Sequence, residues 1–228
     1  PARGGALLAA AGLLALSLFG GRPAVPAQAA GGAWTTFMFD NARDGHSSAD
    51  PAFGTVGPAW TSQNATNLGS IKTEPLVFGG SVYFGTQNGW LFAVSQATGA
   101  VQWSLQLGSP PSGYGCGNIN GITGTPVIDT ANNVMYAVAA VTFNGGIRNT
   151  IFKINLSNHT IAASASAEPP GFDPTVQGER GALALNNGRI YVPYGGRDGD
   201  CGTYHGYVVA FDTNLSQLGT FTSTPSCN

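Results

Sequence analysis

Apolar positions along this chain fall in short alternating runs separated by Gly, Asn and Asp, and one such pattern recurs three times. The first copy runs from Thr73 through Leu76, Phe78, Val82, Tyr83 and Phe84, then from Trp90 to Val94, then from Thr98 to Trp103. The second has apolar stretches at 126–128, 134–138 and 151–156, and the third at 182–192 and 206–211. Tyr83, Tyr136 and Tyr191 hold matching places, 53 and 55 residues apart. Strict alternation is the signature of strands, and helical periodicity is missing from these segments. Self-similarity at this period, with each unit made of short strands and tight turns, predicts an all-β chain folded as a β-propeller of four-stranded antiparallel blades.

The blades are expected at about 71–107, 122–167 and 180–222. In the first, Leu76 and Phe78, then Val82 and Phe84, then Leu91 and Ala93 alternate as one buried face. Gly79-Gly80 and Asn88-Gly89 stand where tight hairpins need positive φ, and Thr98-Gly99 turns the chain into the last strand. Ahead of the blades, 34–39 reads as a short strand, 40–50 as loop and 58–60 as the start of another strand. Three long segments interrupt the pattern, at 108–121, 168–179 and 195–206, and long loops in compact domains are frequently functional. Three repeats and a lead-in do not close a ring, so the expectation is an incomplete propeller of about three to four blades, the front part of a longer protein. A compact four-bladed ring is the alternative.

Composition narrows the partners. Charged residues are 9% of the chain and the net charge is −2, so no basic stripe exists to bind nucleic acid. Glycine (34) and proline (14) are abundant, but the 43% hydrophobic content lies in strand-like runs between them, which makes them turn residues. Arg3, the apolar run from Ala6 to Phe19 and the small residues Ala27 and Ala29 describe a signal peptide over residues 1–29, with the propeller domain occupying 30–228. The apolar run is short for a membrane span, so no transmembrane anchor is expected after cleavage, and the location is secreted or periplasmic. Export permits disulfides. Of Cys116, Cys201 and Cys227, the first two lie in Gly-rich insertions of different blades and are the expected pair.

The stretch from Ser81 to Trp103, with Val82-Tyr83, Gly85-Thr86, Asn88-Gly89, Leu91, Ala93-Val94, Thr98-Gly99 and Trp103, resembles the repeat of pyrroloquinoline-quinone (PQQ)-like β-propellers. Ser95 departs from it by replacing the usual Asp. Gly121–Asp129 and Asp198–Tyr207 resemble segments of secreted bacterial members. The resemblance implies structural roles for Gly89, Gly99 and Trp103, the last docking one blade on the next. It raises PQQ and calcium as cofactors. The adjacent Cys-Cys pair of the family's dehydrogenases is missing from this chain.

Candidate chemistry is sparse. No catalytic residue is singled out. Asp198 and Asp200, in the segment Arg197–His205 with Cys201, offer two oxygen ligands for a cation such as Ca²⁺, against the plainer reading of a structured surface loop. Arg180 reaches for the ring axis or pairs with Glu179 or Asp173 at a blade seam, and the cluster Asp40, Arg43, Asp44 and His46 reads as a solvated loop. The leading expectation is a binding or scaffold module with no catalytic site, using loops 108–121, 168–179 and 195–206 as a rim for a protein or glycan. The alternatives are the front part of a PQQ-dependent dehydrogenase and an assembly factor of the cell envelope.

Overall fold

The computed structural model describes residues 32–47, 57–62, 69–112, 116–117, 120–197 and 201–223. The expected signal peptide, Asp198, Asp200 and Cys227 lie outside the described residues. Those described form no helix, so none is long and apolar enough to cross a membrane. The chain is all-β, and three antiparallel sheets account for it, as the repeat predicts.

The first sheet contains β1 (Leu76–Phe78), β2 (Ser81–Gly85), β3 (Trp90–Ser95) and β4 (Val101–Gln106), joined in sequence order. The second contains β5 (Val127–Asp129), β6 (Val134–Phe143), β7 (Gly146–Asn155) and β8 (Thr160–Ser166). The third contains β10 (Ala184–Asn186), β11 (Arg189–Gly196), β12 (Tyr207–Asp212) and β13 (Gln217–Thr222). A two-residue strand, β9 (Gln177–Gly178), adds to β11 from within the long 168–179 connection. Each meander starts on a three-residue inner strand and ends on a largely exposed outer one.

The sheets stack through their faces. Side chains on a strand alternate sides, so a central blade buries both. On β6, Met135, Ala137, Ala139 and Val141 pack towards blade one with Leu76, Tyr83, Leu91 and Ala93. Val134, Tyr136 and Val138 pack towards blade three with Ile190, Val192, Val209 and Phe211. This explains why β6 is buried continuously from Val134 to Val141, whereas β2 and β11 are fully buried only at every second residue. One expectation changes here: on β2 the face against blade two carries Ser81, Tyr83 and Gly85, and Val82 and Phe84 lie half-buried on the other side. Both faces of that strand are apolar, and the neighbour that covers one of them decides between them.

The lead-in is not a strand from 34 to 39. Only Trp34 pairs, in a two-bond bridge with Val77 on β1, and the chain then turns, with Met38 and Phe39 at positive φ. Residues 58–60 form no strand either; Trp60 instead caps blade one, its Nε1 donating to the Gln96 carbonyl at 2.8 Å. The segment 34–43 crosses the inner strands in turn. Ile128 N–H donates to Thr35 O at 2.9 Å, Asn41 Nδ2 to Leu185 O at 3.0 Å, and Arg43 Nη2 to Leu183 O at 3.1 Å. It thereby supplies partners to inner-edge backbone groups of all three blades, which would otherwise be costly to bury. Arg43 is thus a latch to blade three and not merely part of a solvated loop. Burial lowers its pKa, opposed by Glu74 and Asp40.

Met135 fills the blade one–blade two seam at zero exposure, so Met135→Ala leaves a cavity and should cost about 2–4 kcal/mol. Urea unfolding of the variant checks this; a loss below about 1 kcal/mol would show that the seam is loosely packed.

Candidate functional site

In an up-and-down blade successive connections alternate between ends. The β1–β2 and β3–β4 turns lie at one end, and the β2–β3 turn and the link to the next blade lie at the other. By that rule the segments 108–121 (after β4), 168–179 (after β8) and 195–206 (between β11 and β12) emerge at the same end.

Two devices draw them together. Cys116 and Cys201 are disulfide-bonded, as expected, with Cα atoms 5.5 Å apart and a sequence separation of 85. The second device is Arg197, which directly follows β11 and is 1% exposed. Its Nε donates to Cys116 O at 3.3 Å, Nη1 to Pro174 O at 3.1 Å and Nη2 to Asn120 Oδ1 at 2.7 Å. Its backbone N–H donates to Val176 O at 2.8 Å. One guanidinium therefore ties all three loops. Burial lowers its pKa, but a guanidinium stays charged in proteins, and backbone carbonyls satisfy its forked donors. Gln177 adds a further tie, donating from Nε2 to His205 O at 2.8 Å. Phe172 seats the 168–179 loop on blade three, edge-on to Tyr194 with centroids 4.8 Å apart.

Beneath this clamp lies the opposite case. Glu179, 2% exposed, stands where the chain enters blade three. Neither carboxyl oxygen has a hydrogen-bond partner, and neither does the buried Tyr194 hydroxyl. Gly124 makes room for the carboxyl: a Cβ there would lie 2.0 Å from Oε1. Burial pushes the Glu179 carboxyl well above its ordinary range, and the Gly124 amide, facing it without a full hydrogen bond, opposes this in part. Burial likewise raises Tyr194, reinforced by Glu179 and Glu168. Arg180 is exposed and does not bond to the Glu179 carboxyl.

The other sequence candidates are dispersed. Gly89 has φ +77° and Gly99 φ +71°; a Cβ on Gly89 would meet Gly108 O at 2.2 Å, and one on Gly99 would meet the Trp60 ring at 2.3 Å. Trp103 is half-buried on β4 and stacks on His159 of blade two, with centroids 4.9 Å apart and planes 18° apart. Asp198 and Asp200 fall outside the described residues, and among the described ones no three His, Cys, Asp or Glu side chains are grouped to hold a metal. Sequence reasoning missed the roles of Arg197 and Glu179. Arg197 meets loop carbonyls and an amide, partners that leave no spacing signature. A lone acidic residue before a strand does not announce its burial.

With the fold in view, comparison with known proteins is informative. Residues 25–192 match the profile of the family described as outer membrane protein assembly factor BamB, and the chain belongs to this PQQ-like propeller family. No curated protein matches. Among solved structures, the quinohemoprotein alcohol dehydrogenase ADHIIG of Pseudomonas putida HK5 superposes with a TM-score of 0.62 at 16% identity, over 84% of this chain and 26% of that one. The Comamonas testosteroni quinohemoprotein alcohol dehydrogenase gives 0.53 at 17% identity, over 87% and 33%. BamB from Moraxella catarrhalis gives 0.46 at 17%, over 72% and 41%. The chain thus spans less than half the length of these proteins, and at such identities the likeness is one of fold.

The described residues do not fit the quinone that the fold family brings to mind. An anionic quinone with Ca²⁺ needs convergent cations and oxygen ligands. Arg197 is committed to protein carbonyls, and Glu179 is enclosed against Gly124.

Two predictions follow from this geometry. Replacing both cysteines by Ser opens an 85-residue loop and should cost about 2–4 kcal/mol in chemical denaturation. The second concerns pH. Glu179 keeps its proton in the folded state to a higher pH than in the unfolded chain, whose value is near 4.5. Between the two values the folded state binds more protons, so stability falls as pH rises through that window. Glu179→Gln should remove this slope, so its stability relative to the native chain should rise with pH above about 4.5, by up to about 1.4 kcal/mol per pH unit. A difference that stays flat from pH 4 to 8 would show that the carboxyl is not held neutral.

Proposed function

We propose that this chain is an exported binding and scaffold module of the cell envelope, and that its long-loop rim grips a protein partner. The observation that carries the reading is the clamp: one buried guanidinium and one disulfide hold loops from three different connections in a single arrangement. A surface fixed before binding loses less conformational entropy on association, which is how irregular loops make an effective interface. The disulfide also suits an oxidising compartment. The family description, an outer membrane protein assembly factor, supports an envelope role and makes an unfolded outer-membrane β-barrel precursor a reasonable class of partner.

The test is a titration of the purified chain with a urea-unfolded outer-membrane β-barrel protein diluted into buffer. The native chain should bind saturably, and the Cys116→Ser/Cys201→Ser variant should bind at least about tenfold more weakly, a loss of about 1.4 kcal/mol. Equal binding by both forms would remove the rim from the interface. A parallel assay with PQQ, Ca²⁺ and primary alcohols, read by dye reduction, addresses the dehydrogenase alternative. Alcohol-dependent turnover there would replace the scaffold reading.

A further inference from the structure

At the end of the blades opposite the long loops, a cleft of about 500 Å³ opens between blades one and two. It lies among the β1–β2, β5–β6 and β7–β8 turns, so it shares no residue with the clamped rim. Its walls include Ser81, Tyr83, Gln102, Trp103, Asn133 and His159. Among the described residues, no Asp, Glu, Lys or Arg lines it.

Three features set this cleft apart from an ordinary seam. The first is an aromatic wall made by both blades. Trp103 stacks on His159, and Tyr83 leans on Trp103 with centroids 5.8 Å apart and planes tilted by 54°. The second is backbone strain. His159 sits at φ +60°, in the turn position that Gly99 occupies in blade one at φ +71°. The two residues make the same bond, His159 N–H to Asn155 O and Gly99 N–H to Ser95 O. Glycine takes this conformation freely and a histidine does not, so the ring is carried into the cleft at an energetic cost. The third is spare hydrogen-bonding capacity on facing walls. Ser81 Oγ donates to Gln102 Oε1 at 2.6 Å, which leaves the Gln102 Nε2 donors without a protein acceptor among the described residues. Asn133 Nδ2 donates to Ser157 Oγ at 2.7 Å, which leaves its Oδ1 free to accept.

From these features we infer that the cleft is a binding site for a neutral saccharide. The aromatic lining offers apolar surface for the C–H face of a pyranose ring, and an amide donor opposite an amide acceptor complements a pair of hydroxyls. The lack of charged lining disfavours anionic or cationic ligands, which would be desolvated without a counter-charge. The volume lies within the usual range for small-ligand sites, roughly 300–1,000 Å³, and is large enough for a disaccharide.

The experiment is a titration of the full chain with maltose, cellobiose and N,N′-diacetylchitobiose, followed by tryptophan fluorescence and calorimetry, with digalacturonic acid as the charged control. At least one neutral disaccharide should bind saturably at millimolar concentration or below, and the charged one should not. Gln102→Ala and Asn133→Gly, the latter keeping the positive φ of residue 133, should each weaken binding by about tenfold while leaving the melting temperature near native, and the Cys116→Ser/Cys201→Ser variant should bind sugar normally. No saturable binding of any of the three sugars up to about 20 mM, far beyond the affinity of a built site, would overturn the proposal. So would affinity unchanged in Gln102→Ala and Asn133→Gly, or preferential binding of the acidic sugar. Failure here leaves the rim untouched, since the two sites lie at opposite ends.

Discussion

The architecture depends on a single requirement: the middle blade must be covered on both faces. β6 carries apolar side chains at every position from Val134 to Val141, and a strand of that kind has no solvent side to present. Met135, Ala137 and Ala139 need blade one, and Tyr136 and Val138 need blade three. The small Ala137 and Ala139 face blade one, whereas the large Tyr136 faces blade three and reaches the Thr213 carbonyl with its hydroxyl at 3.2 Å. Burial there raises its pKa to about 12, so the ring stays neutral. Blades one and three, with one strongly buried face each, are what such a centre needs as flanks.

Two buried ionisable groups near the same end of the blades show how differently a fold can treat charge. Arg197 is enclosed, yet every loop it touches offers a carbonyl or amide oxygen, so burial converts it into a fastener. Glu179 is enclosed with no donor in bonding position, so burial holds it towards its neutral form. Neither group would be tolerable in the other's surroundings. An unsatisfied guanidinium has no accessible neutral form, whereas a carboxyl does. The same depth therefore produces a rigid tie in one case and a carboxyl pushed towards its neutral form in the other.

Much of the fold was legible because strand periodicity and turn chemistry are local. The spacing of Tyr83, Tyr136 and Tyr191, and glycines such as Gly89 and Gly99, are written in adjacent residues. Which face of β2 would be buried was not legible, since Tyr83 on one side and Val82 and Phe84 on the other are all apolar. The choice belongs to a blade some fifty residues away. The path of 34–43 was hidden for a related reason: its bonds go mostly to main-chain oxygens of the inner strands, which have no sequence identity. At the rim, the cysteine pair was readable from residue type and context. The Arg197 tie was not, because its partners are mostly backbone oxygens of loops.

The disulfide also has a mechanical meaning. A pull on the two ends of the chain passes from Cys116 directly to Cys201, and everything between, including all of blade two, carries no tension. Stretching would first draw out blade one and the last two strands, β12 and β13, and would reach the interior only after the bond was reduced. A cut by a protease anywhere in that span would likewise leave one covalent molecule. Under load such a chain is protected at its centre and yields from its ends.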